Sequence, residues 1–364
     1  MRMLVAGGGT GGHLFPGLAL AEEVKTRHPK NSAMFVGTTR GLEGRVVPKA
    51  GFALEMIDVG PLKGQGFFGL LKGLLRLPKA LFQSLRILKK FDPDVVVGVG
   101  GYASGPVLVA AWLKGIPTAI QEQNALPGLT NKLLGRIVKA CFICFEEARA
   151  AFPPKTVYLL GNPIRGAFLD NYLHEKQPDE RLSILISGGS QGAHGLNLPA
   201  AEAVERLAPV LGKRLKVLHQ TGEKDAAAIS ARYQKLEATG ADLAARPFIE
   251  EMAKAYAAAD LMLGRSGAGT VMETAMTGLP TIFVPLPHGN GEQARNADFL
   301  IRAGAGVLVA DADLDADRLY AEVTRLFSEP GGLASMGELC RSLAPSGAAR
   351  GLAELVLRVA GRPH

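Results

Sequence analysis

The stretch Met3-Leu4-Val5-Ala6-Gly7-Gly8-Gly9-Thr10-Gly11-Gly12-His13 decides how the fold is read. Met3–Ala6 is a short apolar run, the signature of a buried strand. It breaks into glycines, which let a backbone turn sharply and leave its amides open to a ligand. A helical pattern follows at once, and a helix amino-terminus carries partial positive charge that suits phosphate. The same strand, glycine turn and helix recur where Leu182–Ser187 runs into Gly188-Gly189-Ser190-Gln191-Gly192. Two such openings in 364 residues predict two α/β domains. Each is expected to hold a parallel sheet covered by helices on both faces.

Outward from the first opening, Ala33–Val36, Val95–Val99, Thr118–Ile120 and Val157–Leu160 read as further strands. Outward from the second, Leu215–His219, Leu261–Leu263, Thr281–Val284 and Gly306–Val309 do the same. The alternation breaks at Gly161-Asn162-Pro163, and the polar stretch to about Arg181 reads as a linker. The expected domains are therefore 1–161 and 162–341, with a helical tail, 342–364, packing back toward the first. Ligands of doubly wound sheets sit at the carboxyl ends of the strands. Two Rossmann-like domains facing across a cleft would bring both glycine loops to one ligand.

The bulk composition narrows the ligand. Basic residues outnumber acidic ones 41 to 34, a net charge of +7, which favours anionic partners. Hydrophobic residues make up 47% and charged residues 21%, which excludes a disordered chain. The three cysteines, Cys141, Cys144 and Cys340, point to a reducing compartment. The opening apolar run is too short for a signal peptide, and no run reaches the roughly 20 residues that span a bilayer. A cytoplasmic protein is expected. Nucleic acid is not an expected partner, because basic and aromatic residues do not interleave outside one segment treated below.

Several chemistries drop out on spacing. Gly7-x-Gly9-x-x-Gly12 has the dinucleotide-binding spelling, but such a site wants an acid at the end of the second strand. That strand ends Phe35-Val36-Gly37-Thr38-Thr39-Arg40, with none. Asp92-Pro93-Asp94 has a metal-binding spelling but precedes its strand, away from the ligand side. Asp311, Asp313 and Asp315 read as a solvated or helix-capping run. Cys141-x-x-Cys144 has no second pair of ligands and reads as packing. No metal and no cofactor are expected.

The strongest chemical segment is Gly264-Arg265-Ser266-Gly267-Ala268-Gly269-Thr270-Val271-Met272-Glu273. Small residues again expose amides at a helix start. Glu273, one turn into that helix, either bonds vicinal ribose hydroxyls or simply complements the helix dipole. Downstream, the polar run from Pro285 to Asn296 suits sugar hydroxyls.

At this point the chain resembles a known family. The stretches GGGTGGHLFPGLALAEE (7–23), GVGGYASGP (98–106), EQNALPGLTNK (122–132), GNPIR (161–165), GGSQGAHGLN (188–197), HQTG (219–222) and RSGAGTVMETAMTGLP (265–280) are similar, in the same order, to those of the bacterial MurG transferases. The resemblance implies the glycosyltransferase B fold. It implies an inverting enzyme that moves N-acetylglucosamine from UDP-N-acetylglucosamine to the muramyl 4-hydroxyl of undecaprenyl-linked lipid I, forming lipid II for peptidoglycan. It further implies a peripheral protein on the cytoplasmic face of the cell membrane. Carried over residue by residue, Gly189 and Ser190 meet the pyrophosphate, Arg165 contacts the UDP region, and the Ile249 backbone reads the uracil edge. Ala268, Gly269 and Thr270 approach the phosphates, Val271 and Met272 belong to the same donor-binding stretch, and Glu273 takes the ribose hydroxyls. Gln293 meets the sugar, with Glu292 beside it. Thr10, Gly11, Gly12 and Asn124 complete the donor site, and acceptor pyrophosphate lies near the first glycine loop. Many relatives read His-Glu-Gln-Asn where this chain has Gln121-Glu122-Gln123-Asn124, so no role of that histidine carries over.

The proton must go somewhere, and His13, at the end of the first glycine loop, is the base candidate; the alternative is a capping or cleft-lining histidine. Residues 63–90 interleave Phe67, Phe68, Leu70, Leu71, Leu74 and Leu75 with Lys72, Arg76 and Lys79. This suits an anionic membrane surface, with an ordinary core helix as the alternative. Pro78 predicts two short helical pieces there. Two other functions stay open: another UDP-sugar enzyme of the same fold, such as a lipid glycosyltransferase or an epimerase, and a non-catalytic pyrophosphate-binding module.

Overall fold

The computed structural model describes residues 1–39, 41–60, 66–164, 168, 181–287, 291–345 and 347–361, with 66–74 described by backbone alone. The chain divides into two compact units, one of Met1–Arg165 with Pro345–His364 and one of Gly166–Ala344.

In the first unit the strands are β1 (Arg2–Ala6), β2 (Ser32–Thr38), β3 (Ala53–Ile57), β4 (Val95–Gly98), β5 (Thr118–Glu122), β6 (Ala140–Ile143) and β7 (Val157–Leu159). They form one parallel sheet in the order β3-β2-β1-β4-β5-β6-β7. Successive residues of a strand point to opposite faces. Here both faces are covered: Leu4 and Ala6 enter one core with Val36 and Val96, while Met3 and Val5 enter another with Phe35 and Val97. That is why β1 reads as an unbroken apolar run. Helices α1 (Gly11–Arg27), α2 (Glu43–Lys49), α3 (Gly66–Phe91), α4 (Ser104–Leu113) and α5 (Leu129–Leu134) complete this part of the unit.

In the second unit β8 (Leu182–Ser187), β9 (Leu215–Gln220), β10 (Asp242–Arg246), β11 (Leu261–Gly264), β12 (Thr281–Phe283) and β13 (Val307–Leu308) form a second parallel sheet, in the order β10-β9-β8-β11-β12-β13. Between and after them run α6 (His194–Leu211), α7 (Ala226–Gln234), α8 (Met252–Ala258), α9 (Ala268–Thr277), α10 (Glu292–Arg302), α11 (Ala316–Ser328) and α12 (Gly332–Leu343). The last helix, α13 (Ala348–Val359), belongs to the first unit, where Leu352, Ala353 and Val356 join the core beneath α1. Arg27 of α1 bonds Glu354 and the Arg350 carbonyl, holding the two helices together.

Both sheets change winding direction beside their first strand, between β1 and β4 and between β8 and β11. The glycine loops leave the sheets at these switch points, where open α/β sheets bind ligands.

Two expectations are corrected. Pro78 does not divide its segment: α3 runs unbroken from Gly66 to Phe91. A proline removes one backbone bond, a loss that a helix of 26 residues absorbs. Asp311 is not merely a solvated acid: it receives a 2.7 Å bond from the buried Arg265 guanidinium. Asp315 does cap α11, accepting from the Arg318 amide at 2.7 Å.

Candidate active site

In the first unit the chain turns immediately after β1. Gly7 has φ +142°, and a Cβ there would collide with the Gly100 carbonyl, so only glycine fits this close crossing of two backbones. The Gly8 amide donates to that same carbonyl at 3.3 Å. Gly9 donates instead to a side chain, Glu43 Oε2, at 3.0 Å. Glu43 is buried, and its other oxygen accepts from the Thr38 amide at 3.0 Å and the Thr38 hydroxyl at 3.3 Å. A buried carboxylate thus underpins the loop.

Thr10 opens α1, so the amides of Gly11 and Gly12 lie in its first turn, without acceptors one turn back. His13 is half-buried, with its ring packed on the Gly100 Cα. Nδ1 lies 3.3 Å from the Thr10 hydroxyl. Burial lowers the imidazole pKa below the ordinary histidine value, while the Gly8 carbonyl, accepting from the ring, and the Glu43 charge push it back up. The lowered pKa favours the neutral imidazole, the form able to accept a proton.

Asn124 follows β5 and is positioned by Glu122. Glu122 Oε1 accepts from the Asn124 amide at 2.9 Å and side chain at 3.3 Å, and Oε2 from Gly128 at 3.1 Å and Asn131 at 3.0 Å. Burial raises the Glu122 pKa, and these four donors oppose the rise. Gln121, at the family's histidine position, is buried and bonds Asn162 at 3.1 Å and Gln123 at 2.7 Å.

In the second unit the loop after β8 has the same logic with different parts. Gly192 has φ +73°, and its Cβ would collide with the Thr221 carbonyl. A Cβ on Gly189 or on Gly267 would meet nothing within 4 Å, so both stretches of backbone face open space. Gly267 precedes α9, whose first turn holds Ala268, Gly269 and Thr270. Since β8 and β11 are neighbours, the two turns leave the sheet side by side at the carboxyl ends of its strands, and the Gly189 amide donates to the Ser187 hydroxyl at 3.3 Å. Ser190 is half-buried on the first of them.

Glu273 lies one turn into α9 and accepts from the Tyr256 hydroxyl at 3.2 Å, which fixes its carboxylate. Tyr256 is in turn held edge-on by Phe168, with ring centroids 5.2 Å apart. Val271 and Met272 are buried, and the Val271 amide donates to the Gly267 carbonyl at 3.0 Å, so both pack the helix onto its core. Gln293 Oε1 accepts from the Leu286 amide at 3.0 Å, and Glu292 is the first residue of α10. The Ile249 amide is committed to Gln220 Oε1 at 2.8 Å. Arg165 lies outside the described residues, as does Lys63; of the side chains of Phe67, Phe68, Leu70, Leu71, Lys72 and Leu74 nothing is described.

Sequence reasoning gave no role to Glu43, Gln220 or Tyr256. Gln220 lies inside the HQTG motif, but a motif does not say which side chain braces which loop. Glu43 carries no local signal.

Residues 3–143 match the Glycosyltransferase family 28 N-terminal domain, and residues 183–348 its C-terminal domain. The chain is 51% identical, over 98% of its length and 92% of the relative's, to the UDP-N-acetylglucosamine--N-acetylmuramyl-(pentapeptide) pyrophosphoryl-undecaprenol N-acetylglucosamine transferase of Myxococcus xanthus. It is similar to the crystal structure of Acinetobacter baumannii MurG, with a TM-score of 0.75 and 32% identity, covering 98% of this chain and 99% of that one. It also shares its fold with Neisseria meningitidis UDP-GlcNAc 2-epimerase bound to UDP-GlcNAc, with a TM-score of 0.69 and 14% identity, covering 98% of this chain and 100% of that one.

Proposed function

The chain belongs to glycosyltransferase family 28, and from that premise we propose that it transfers N-acetylglucosamine from UDP-N-acetylglucosamine to N-acetylmuramyl-(pentapeptide) pyrophosphoryl-undecaprenol. The observation that carries the chemistry is the pair of turns, Gly188–Ser190 and Gly267–Thr270, whose backbone amides stand side by side at the ends of β8 and β11 and which face open space at Gly189 and Gly267. Such amides bind diphosphate without a counter-cation of their own.

The second unit holds the donor. Gly189, Ser190, Ala268, Gly269 and Thr270 take the pyrophosphate, Glu273 the ribose hydroxyls, and Gln293 the sugar. The first unit holds the acceptor's pyrophosphate near the first glycine loop, at the Gly11 and Gly12 amides of the first turn of α1. The muramyl 4-hydroxyl attacks the anomeric carbon, and the carbon–oxygen bond to phosphate breaks with inversion. UDP leaves with the bonding electron pair, and His13 receives the hydroxyl proton. The helix starts stabilise the charge growing on UDP.

The lipid-linked acceptor calls for a membrane footing, and α3 suits one. Leu75 is 73% exposed and Phe82 54% exposed, beside Arg76, Lys79 and Arg86. Arg86 lies over the Phe82 ring at 4.3 Å. Apolar bulk next to cations binds anionic interfaces. Among the described residues no helix is long and apolar enough to cross a membrane. The exposed apolar residues and cations of α3 support a peripheral footing on the cytoplasmic face of the membrane.

One assay tests the whole reading: sugar transfer to lipid I in anionic vesicles, with UDP-N-acetylglucosamine competing against UDP-glucose and UDP-N-acetylgalactosamine. The expected result is preference for the first donor and slower transfer by Leu75→Glu with vesicles but not with a detergent-dispersed acceptor. Epimerised donor released without transfer would overturn the assignment.

A further inference from the structure

Gln220 ends β9, the strand between β8 and β10. In the sheet register it stands opposite Ser187 on one side and Arg246 on the other. Ser187 leads into the glycine loop, and Arg246 leads into Pro247-Phe248-Ile249. The Gln220 side chain, 1% exposed, reaches both ways. Its Nε2 donates to the Gly189 carbonyl at 2.9 Å and to the Ser187 hydroxyl at 3.2 Å. Its Oε1 accepts from the Ile249 amide at 2.8 Å. The polarity admits no reversal, because a carbonyl can only accept and an amide N–H can only donate. One side chain must therefore offer donors toward one loop and an acceptor toward the other.

We propose that Gln220 is a positioning residue that sets the spacing between the diphosphate-binding loop at Gly188–Ser190 and the base-reading loop at Ile249, and so matches the second unit to the length of a nucleoside diphosphate. This rests on the donor reading above. Two recognition points held at fixed spacing bind a linked ligand far better than either half predicts, because the second contact forms within an already bound molecule. If the spacer goes, each point survives but the bonus for linkage falls. Glutamine is the side chain that fits. Glutamate would keep an acceptor for Ile249 but set a charge against the Gly189 carbonyl, and leucine would leave the Ile249 amide without its acceptor and the Gly189 carbonyl with the Gly192 amide alone.

The test measures Kd for UDP, uridine and inorganic pyrophosphate by calorimetry or competition, on the full chain and on Gln220→Glu and Gln220→Leu. Thermal melts identify folded variants, and Gln220→Glu, nearly the same shape, carries the test should Gln220→Leu not fold. The expected outcome is weaker UDP binding by about tenfold in Gln220→Leu, the scale of one or two lost buried hydrogen bonds, and at least as much in Gln220→Glu, whose carboxylate faces the Gly189 carbonyl. Uridine and pyrophosphate each change by less than about twofold, since their own contacts remain. Donor KM rises with the UDP Kd while kcat stays within about threefold. Equal losses for UDP and its fragments, or unchanged UDP affinity, overturn the proposal. A wild-type chain that does not bind UDP would instead sink the donor reading itself.

Discussion

The two glycine loops occupy equivalent places, each leaving its sheet at the switch point, yet different side chains hold them. Gly9 is tied to Glu43, a buried carboxylate, and His13 stands on the same turn. Gly189 is tied to Gln220, a neutral amide. An anion beneath an amide nest weakens the field it offers to phosphate but strengthens a nearby base; a neutral brace leaves the field intact. On the proposed reading, the first loop serves proton transfer beside the acceptor and the second holds the negative donor. The contrast extends to the histidines. His13 is half-buried at the loop, whereas His219, beside Gln220, is wholly enclosed between Tyr233, at 2.9 Å, and Asn197, at 3.2 Å.

The largest effect should come from the first loop. His13→Ala is expected to lower kcat by about 10²–10⁴-fold, the usual contribution of a general base. UDP affinity should stay within about twofold, because donor binding is assigned to the other unit. Steady-state kinetics alongside calorimetry would separate the two. Near-normal kcat removes His13 from its role, and a matching loss of UDP affinity erases the division of labour.

Next in size is the response of the second unit to acid. Burial depresses the His219 pKa from the ordinary 6.5 to about 4. The unfolded chain takes up the proton first as pH falls, so stability is whole above about pH 6.5 and drains away toward pH 4. At about 1.4 kcal/mol per pH unit the full loss is about 3 kcal/mol. Ring chemical shifts should show His219 neutral at pH 5.5, and urea midpoints should fall across this window. A ring titrating near 6.5 would show that the enclosure is not what sets its charge.

Sequence patterning found most strands, the edge strands β7 and β13 included, but not β3 and β10, and the reason is physical. β1, β4, β8 and β11 are covered on both faces and read as apolar runs. β3 and β10 lie at the sheet edges, partly exposed, and carry Glu55, Asp242 and Arg246, so no apolar run marks them. The candidate site divides in the same way. Glycine turns and helix starts are local chemistry and can be read directly. Braces such as Glu43 to Gly9 and Arg265 to Asp311 join residues 34 and 46 positions apart, and pairing at that range follows only from topology.

The finest probe of the contrast is Glu43→Gln. The carboxylate charge pushes the His13 pKa upward against burial. Removing it lets burial act with less opposition, so the imidazole pKa falls further. A base must be neutral to work, and activity is lost below its pKa; the acidic limb of kcat against pH should therefore move to lower pH, by roughly half a unit for a charge acting through a partly screened medium. Glutamine keeps one acceptor oxygen for Thr38 or Gly9, so the loss of kcat on the alkaline plateau should stay within about tenfold, the cost of one strained loop contact. A limb that shifts upward or stays in place would mean that Glu43 serves the backbone of the loop alone, and that its charge is incidental to the base it underlies.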